Sequence, residues 1–299
     1  MSSPGRKEEM KIHAPRRKTV LLILGVIVLL CLFALVYVLS LQAYQEESNE
    51  RAAPFITGTA TGLDRVDIEA RIVTIDPIKG EMSMQILMVP QGRFAANQGA
   101  LYGEPLLLYT PGVVGTAERT FQAGEPVAQL DIVYSLFGEA MDYPYDEHLT
   151  QMWLILGQGT TPADLHEVPV RLEVYGRVAG FQVTVAALEE STSMGIGYDL
   201  LISRSRTVVL AAEAGMVVEW AIGIGVLVLI AVMLSGWYNI RILAVYATLL
   251  FGLLGLRNSL PGTPPIGTYS DYLSFLWVEL IVAVAMVVGL LQAAKRKLL

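Results

Sequence analysis

The chain has 299 residues, 54% of them hydrophobic and 16% charged, with a formal net charge of −7. This is too apolar for a typical soluble protein of its length, and the acidic balance disfavours nucleic acid, which needs clustered Lys and Arg. The apolar residues are gathered into four runs, so the chain order of those runs sets the predicted architecture.

Residues 1–18 are a basic tail carrying Arg6, Lys7, Lys11, Arg16, Arg17 and Lys18. The first run, 19–41, has no charge and meets the roughly 20 helical residues that a bilayer core requires. Its apolar core exceeds the roughly 7–15 residues of a removable signal segment. Val38-Leu39-Ser40 is a poor cleavage site, and Leu30 before Cys31 is too bulky for lipoprotein processing. The run reads as an uncleaved signal anchor. Cys31 is the only cysteine, so no disulfide can staple the remainder.

Residues 42–214 have the grammar of strands. In "RVDIEARIVTID" (65–76), Val66, Ile68, Ala70 and Ile72 recur at period two before the phase shifts. In "EMSMQILMVP" (81–90), Met82, Met84, Ile86 and Met88 share one face, which reads as core packing. "DPIKG" (76–80) joins the two as a hairpin turn. The runs "PLLLYT", "PVAQLDIVYSL", "HLTQMWLIL", "VPVRLEVYGRV", "GFQVTVAAL" and "YDLLISRSRTVVL" follow, separated by Gly/Pro signals such as "PGVVG", "AGEP", "GQGTTP" and "AGF". Seven or eight such strands predict an antiparallel β-sandwich. Within it, Asp142, Tyr143, Pro144, Tyr145 and Asp146 form a rigid turn, with Asp146 capping backbone N–H groups. The alternative for this stretch is a weak divalent-cation site using Asp142, Asp146 and Glu147 beside His148.

Further spans are predicted at 215–235, 240–257 and 272–294, with a Pro/Gly loop at 258–271 and a basic tail at 295–299. Basic flanks lie on the cytoplasmic side of spans, so the predicted topology has both termini inside the plasma membrane and the β-domain outside. The exterior segment 42–215 carries 23 Asp/Glu against 10 Lys/Arg, a charge of −13, in keeping with that orientation. Absence of disulfides and of Asn-x-Ser/Thr sequons there suits a bacterial envelope.

Three ionisable residues fall within apolar runs: Glu219, Arg257 and Glu279. A charge at the bilayer centre costs at least about 2.5–3.5 kcal/mol, so such groups pair or line a wet path. One reading pairs Arg257 with Glu279 or Glu219 as a lock on a three-helix bundle. The other makes the three a gate, proton site or substrate path. In the loop, Asn258 follows Arg257, Leu260-Pro261-Gly262 suits a tight turn, and Pro264-Pro265 stiffens the return toward Gly267. That connector is expected to face the underside of the β-domain and couple it to the spans. Gly223, Gly225, Gly252 and Gly255 read as close helix contacts.

Chemistry-bearing motifs are lacking. His13, His148 and His166 have no zinc spacing, and there is no nucleophile elbow, P-loop or Rossmann fingerprint. The expectation is therefore a non-enzymatic protein with no cofactor and no metal.

Taken in order, "KGEM" (79–82), "FQAGEP" (121–126), "DYPYD" (142–146), "RNSLPGTPPIG" (257–267) and "FLWVE" (275–279) resemble the bacterial membrane-protein family called domain of unknown function 4436. The resemblance covers nearly the whole chain and implies one span before the β-domain and three after it. Tyr145 replaces a family Phe, and Glu147-His148 stands where a basic-aromatic pair is expected. The family implies no activity. The expected role is interaction, sensing or scaffolding in the cell envelope, with the lipid bilayer, an envelope protein or a second copy as partner. The alternative is a channel or transporter component.

Overall fold

The computed structural model describes residues 17–50, 56–57, 60, 62–159, 165–176, 178–187, 196–236 and 239–298. His13 and most of the basic tail 1–18 lie outside these, as do part of the "GQGTTP" turn and Leu299. The chain divides into two compact units, residues 1–46 and 47–299.

The described part of the first unit lies in helix α1 (Arg17–Glu50), which continues past Glu46. Its described side chains are exposed all round, and they are overwhelmingly apolar between Val20 and Leu41. A helix without a polar face has no soluble surface to present. The stretch Ile23–Glu46 is long and apolar enough to cross a membrane.

Among the described residues, the second unit begins with fourteen strand segments: β1 (Ile56–Thr57), β2 (Val66–Asp76), β3 (Glu81–Pro90), β4 (Ala95–Ala96), β5 (Leu101–Tyr102), β6 (Leu106–Tyr109), β7 (Glu118–Phe121), β8 (Gln129–Ser135), β9 (Phe137–Gly138), β10 (Glu147–Gln158), β11 (His166–Glu167), β12 (Val170–Tyr175), β13 (Phe181–Ala187) and β14 (Ile196–Arg204). One sheet has the order β1-β12-β2-β3-β8 and another the order β13-β14-β10-β6-β7, with β9 and β11 also on β10. A single apolar core draws on both sheets, from Val66, Met84 and Leu172 of one to Leu108, Met152 and Ile202 of the other.

Alternation drives this burial. Along β3 every second residue is buried, placing Met82, Met84, Ile86 and Met88 in the core. The phase shift in β2 is a β-bulge between Ile72 and Thr74, where one extra residue realigns the strand so that Ile75 also turns inward. Gly80 closes the β2–β3 turn at φ +68°, a conformation that disfavours other residues.

The sheets are not purely antiparallel as the sequence pattern suggested. β12 lies parallel to β2, with Val170 opposite Val66 and Tyr175 opposite Arg71. β12 arrives from β10 and β11 of the other sheet, so it enters as a crossover, and such a connection permits a parallel neighbour. A second difference concerns "RSRTVVL". β14 stops at Arg204, and Ser205 accepts from the Val208 N–H as the N-cap of α2 (Arg206–Leu234). The helix therefore starts well before the apolar window at 215.

Helices α3 (Arg241–Asn258) and α4 (Leu276–Leu298) complete the unit, the latter preceded by a π-helical turn, Asp271–Phe275. Segments Arg206–Leu234, Arg241–Asn258 and Asp271–Lys295 are each long and apolar enough to cross a membrane. Val226, Tyr246, Leu253, Phe275, Val278, Val282 and Ala285 are the buried centre of the bundle. Of the four glycines expected at helix contacts, only Gly223 makes one: a Cβ there would lie 3.2 Å from Val278. Gly225, Gly252 and Gly255 have open space, while Gly289 meets Leu243 closely. In the full chain purified in detergent, Gly223→Leu is expected to lower the thermal unfolding midpoint and Gly225→Leu to leave it unchanged.

Candidate functional site: the joint between β-domain and helices

The loop between α3 and α4 is built around one side chain. Arg257, 3% exposed at the end of α3, donates from Nε to Asp271 Oδ1 at 2.9 Å and from Nη2 to Asp271 Oδ2 at 2.8 Å. The remaining Nη1–H and Nη2–H contacts go to the carbonyls of Pro264 and Pro265. Proline has no N–H of its own, so Pro264-Pro265 offers two acceptors and no competing donor in this buried space. Asp271 also accepts from the N–H groups of Gly267 (2.7 Å) and Thr268 (3.2 Å). Gly262, Thr263 and Gly267 all adopt positive φ, which folds the loop back on itself.

The partner of Arg257 is thus Asp271, the first residue of the π-turn, and not Glu279 or Glu219. Glu219, 3% exposed in α2, accepts instead from the Ser274 hydroxyl. Ser274 sits inside the π-turn, whose widened winding aims it at α2. Glu279 is half-buried in α4 and has no hydrogen bond or ion pair among the described residues. The sequence reading missed Asp271 because it lies outside the apolar window. It is nonetheless the only acidic residue between Glu219 and Glu279, which was the available signal.

Above the loop sits the turn Asp142–Asp146. Tyr143 and Pro144 are joined by a cis peptide bond, and both side chains are buried. Tyr143 donates its hydroxyl to the Pro261 carbonyl at 2.8 Å, and its own carbonyl accepts from Ser270 N–H at 3.2 Å. Its ring packs with Val208, Ala212 and Leu260 in a cluster shared by turn, α2 and loop. Burial pushes the Tyr143 phenol up to about 12, so it stays protonated and able to donate. Tyr145 donates to Glu213 of α2 at 2.9 Å, and its ring meets Tyr269 edge-on at 6.2 Å.

Among the described residues, Asp146 caps no backbone group. It is buried, and it accepts from Arg204 Nε at 2.9 Å and from His148 Nε2 at 3.0 Å. Burial alone would raise its carboxyl; the His148 and Arg204 hydrogen bonds outweigh that and hold it below the usual carboxylate range. Asp142 and Glu147 are exposed, whereas Asp146 is buried. No group of three His, Cys, Asp or Glu able to hold a metal exists among the described residues.

Asn258 is exposed at the end of α3 and makes no side-chain contact to the turn among the described residues, whereas Pro261, Gly262, Pro264, Pro265 and Gly267 belong to the contact region with it or with Arg257. Fold and site together define a two-part protein: a β-rich domain and an apolar helical bundle joined by buried polar contacts. Residues 56–202 match the family described as Domain of unknown function (DUF4436), and residues 204–296 match a second, Domain of unknown function (DUF8686). The DUF4436 match is that of the β-rich domain, a little under half of the chain. The segments "RNSLPGTPPIG" and "FLWVE" fall in the second match. No curated protein matches the chain.

Removing one member of a buried ion pair strands the other, at about 3–5 kcal/mol. Arg257→Leu and Asp271→Leu are each expected to destabilise the full chain by that order, and the double variant by less than their sum, in a denaturation cycle. Because the folded Asp146 pKa is depressed, its contribution is complete above the unfolded value of about 3.9 and fades as pH falls through the folded one. Asp146→Asn is therefore expected to lower stability at pH 7 and to flatten the acid limb below about pH 4, measured by unfolding midpoints across pH.

Proposed function

We propose that this is a non-enzymatic, multi-pass protein of the bacterial plasma membrane whose β-rich domain is an extracytoplasmic sandwich that engages an envelope partner, a ligand or a second copy. Both termini are cytoplasmic in this reading, in keeping with the basic flanks and the −13 charge of residues 42–215. The observation that carries it is the joint. Tyr143 meets Pro261 and Ser270 of the loop and Tyr145 meets Glu213 of α2, while Asp146 and Arg204 brace the β-domain side of the joint. Such a joint suits a domain whose load or binding state is passed to its anchor.

A path lined by Glu219, Arg257 and Glu279 is less well supported. Arg257 has Asp271 and two carbonyls, and Glu219 has Ser274, so both are engaged in holding helices together. That supports a lock.

Two measurements test the proposal. In a Cys31→Ser background, Ile78→Cys (63% exposed before substitution) is expected to react with a membrane-impermeant maleimide on intact cells, and Lys295→Cys only after permeabilisation. The reverse pattern sinks the topology. Crosslinking in cells followed by purification of the full chain is expected to recover an adduct formed through the β-domain. Recovery of the uncrosslinked single chain alone overturns the interaction reading.

A further inference from the structure

Arg204 is not fully used by the joint. Its side chain is 7% exposed, and its guanidinium carbon lies 4.6 Å from the Phe181 ring centroid and 5.2 Å from that of Tyr143. Aromatic rings thus cover it, and Nε serves Asp146. Nη1 and Nη2 have no acceptor among the described residues. Nη1 lies against Gly262, where a Cβ would stand 2.8 Å away. Both residues line an open cleft of about 520 Å³ between the α3–α4 loop and the β2–β3 turn.

A mostly buried guanidinium with free N–H groups at a cleft is built to receive an anion, and its planar fork suits phosphate. The opposite wall adds a second cation, Lys79, whose ammonium is 3.4 Å from Asp76 Oδ2 and whose side chain is 70% exposed. Asp76 and Glu81 line the same wall. Asp76 Oδ1 already accepts from the Ile78 and Lys79 N–H groups, leaving Oδ2 for Lys79 or for a ligand cation. A lone anion would answer the two cations and face two carboxylates. A phosphate carrying an ammonium two carbons away answers both signs.

We propose that this cleft binds the phosphoethanolamine headgroup of a phospholipid, with the phosphate on Arg204 and Lys79 and the ammonium on Asp76 and Glu81. The assignment of a lipid source rests on the topology proposed above, in which Pro264-Pro265 lies at the outer bilayer surface. There, headgroups are at the level of the cleft, and the exposed Ile266 beside Pro265 meets the headgroup–acyl boundary.

The test uses the full chain, purified and delipidated in detergent, with its thermal unfolding midpoint followed on titration. Short-chain phosphatidylethanolamine is expected to raise the midpoint saturably, and short-chain phosphatidylglycerol to do so less at equal concentration. Lys79→Glu, on an exposed turn, is expected to weaken the effect by about tenfold, as is Arg204→Lys, which keeps the charge and loses the fork. A non-saturable rise, an equal response to the two lipids, or an unchanged response in Lys79→Glu overturns the site. An equal response to free glycerophosphoethanolamine overturns the lipid source. Labelling of Ile78→Cys from the cytoplasmic side, with saturable binding intact, overturns the topology and the lipid source but not the headgroup chemistry. Failed binding with outside labelling overturns the headgroup proposal alone.

Discussion

A guanidinium buried beside an apolar bundle must have its N–H groups met, and at Arg257 this requirement shapes everything near it. Asp271 takes one edge of the fork, and Pro264 and Pro265 take the other N–H groups. To bring those acceptors together, the chain must leave α3, reverse at Gly262 and Thr263, and return before α4 begins. Asp271 in turn collects the Gly267 and Thr268 N–H groups, so the loop has few free backbone donors at its centre. The loop is thereby a small folded element, with Arg257 as its core in place of an apolar residue.

The same element has two useful faces. Toward α2, the π-turn presents Ser274 to Glu219, and the indole N–H of Trp220 reaches the Leu273 carbonyl at 3.0 Å. A π-turn frees carbonyls that a regular helix would bond internally, and these side chains use that freedom. Toward the β-domain, Pro261 and Ser270 meet Tyr143 from either side of the loop. Neither contact would be placed without the clamp, because both depend on the path between Arg257 and Asp271.

Much of this was legible in the sequence, for identifiable reasons. Period-two patterning along 66–90 marked the central hairpin because one face of each strand is buried, and the phase shift after Ile72 coincides with the bulge that the structure shows there. The short segments β1, β4, β5 and β7 carried too few residues to show a period; β7 reads "ERTF" with three of four residues exposed. The parallel pairing of β12 with β2 was hidden because alternation tells which face is buried and not which strand lies alongside. The loop and the turn stood out as odd, and Arg257 as a charge in need of a partner. The partner itself was missed because depth along a span was judged from the apolar window, whereas Asp271 enters the bundle through a turn of different winding. Arg204 carried no sequence signal at all: it is one basic residue in "SRSRT", and only the fold brings Asp146, Phe181 and Tyr143 around it.

The two matched families meet at residue 203, yet the joint does not respect that boundary. Tyr143, Tyr145 and Asp146 come from the first segment; Arg204, Glu213, Pro261 and Ser270 come from the second. One residue, Ser205, separates β14 from α2, and its side chain caps the helix. A covalent link that short removes most of the rotational freedom between strand and helix. The Tyr143 contacts act at a separate point, away from that link, and two fixed points on one face oppose a hinge motion about either. A displacement of β10 or β14 is then resisted by contacts to α2 and the loop together. The β-domain and the bundle therefore form one compact unit, and occupancy of the proposed cleft beside Arg204 would bear on the side chain that pairs with Asp146 next to the Tyr143 contacts.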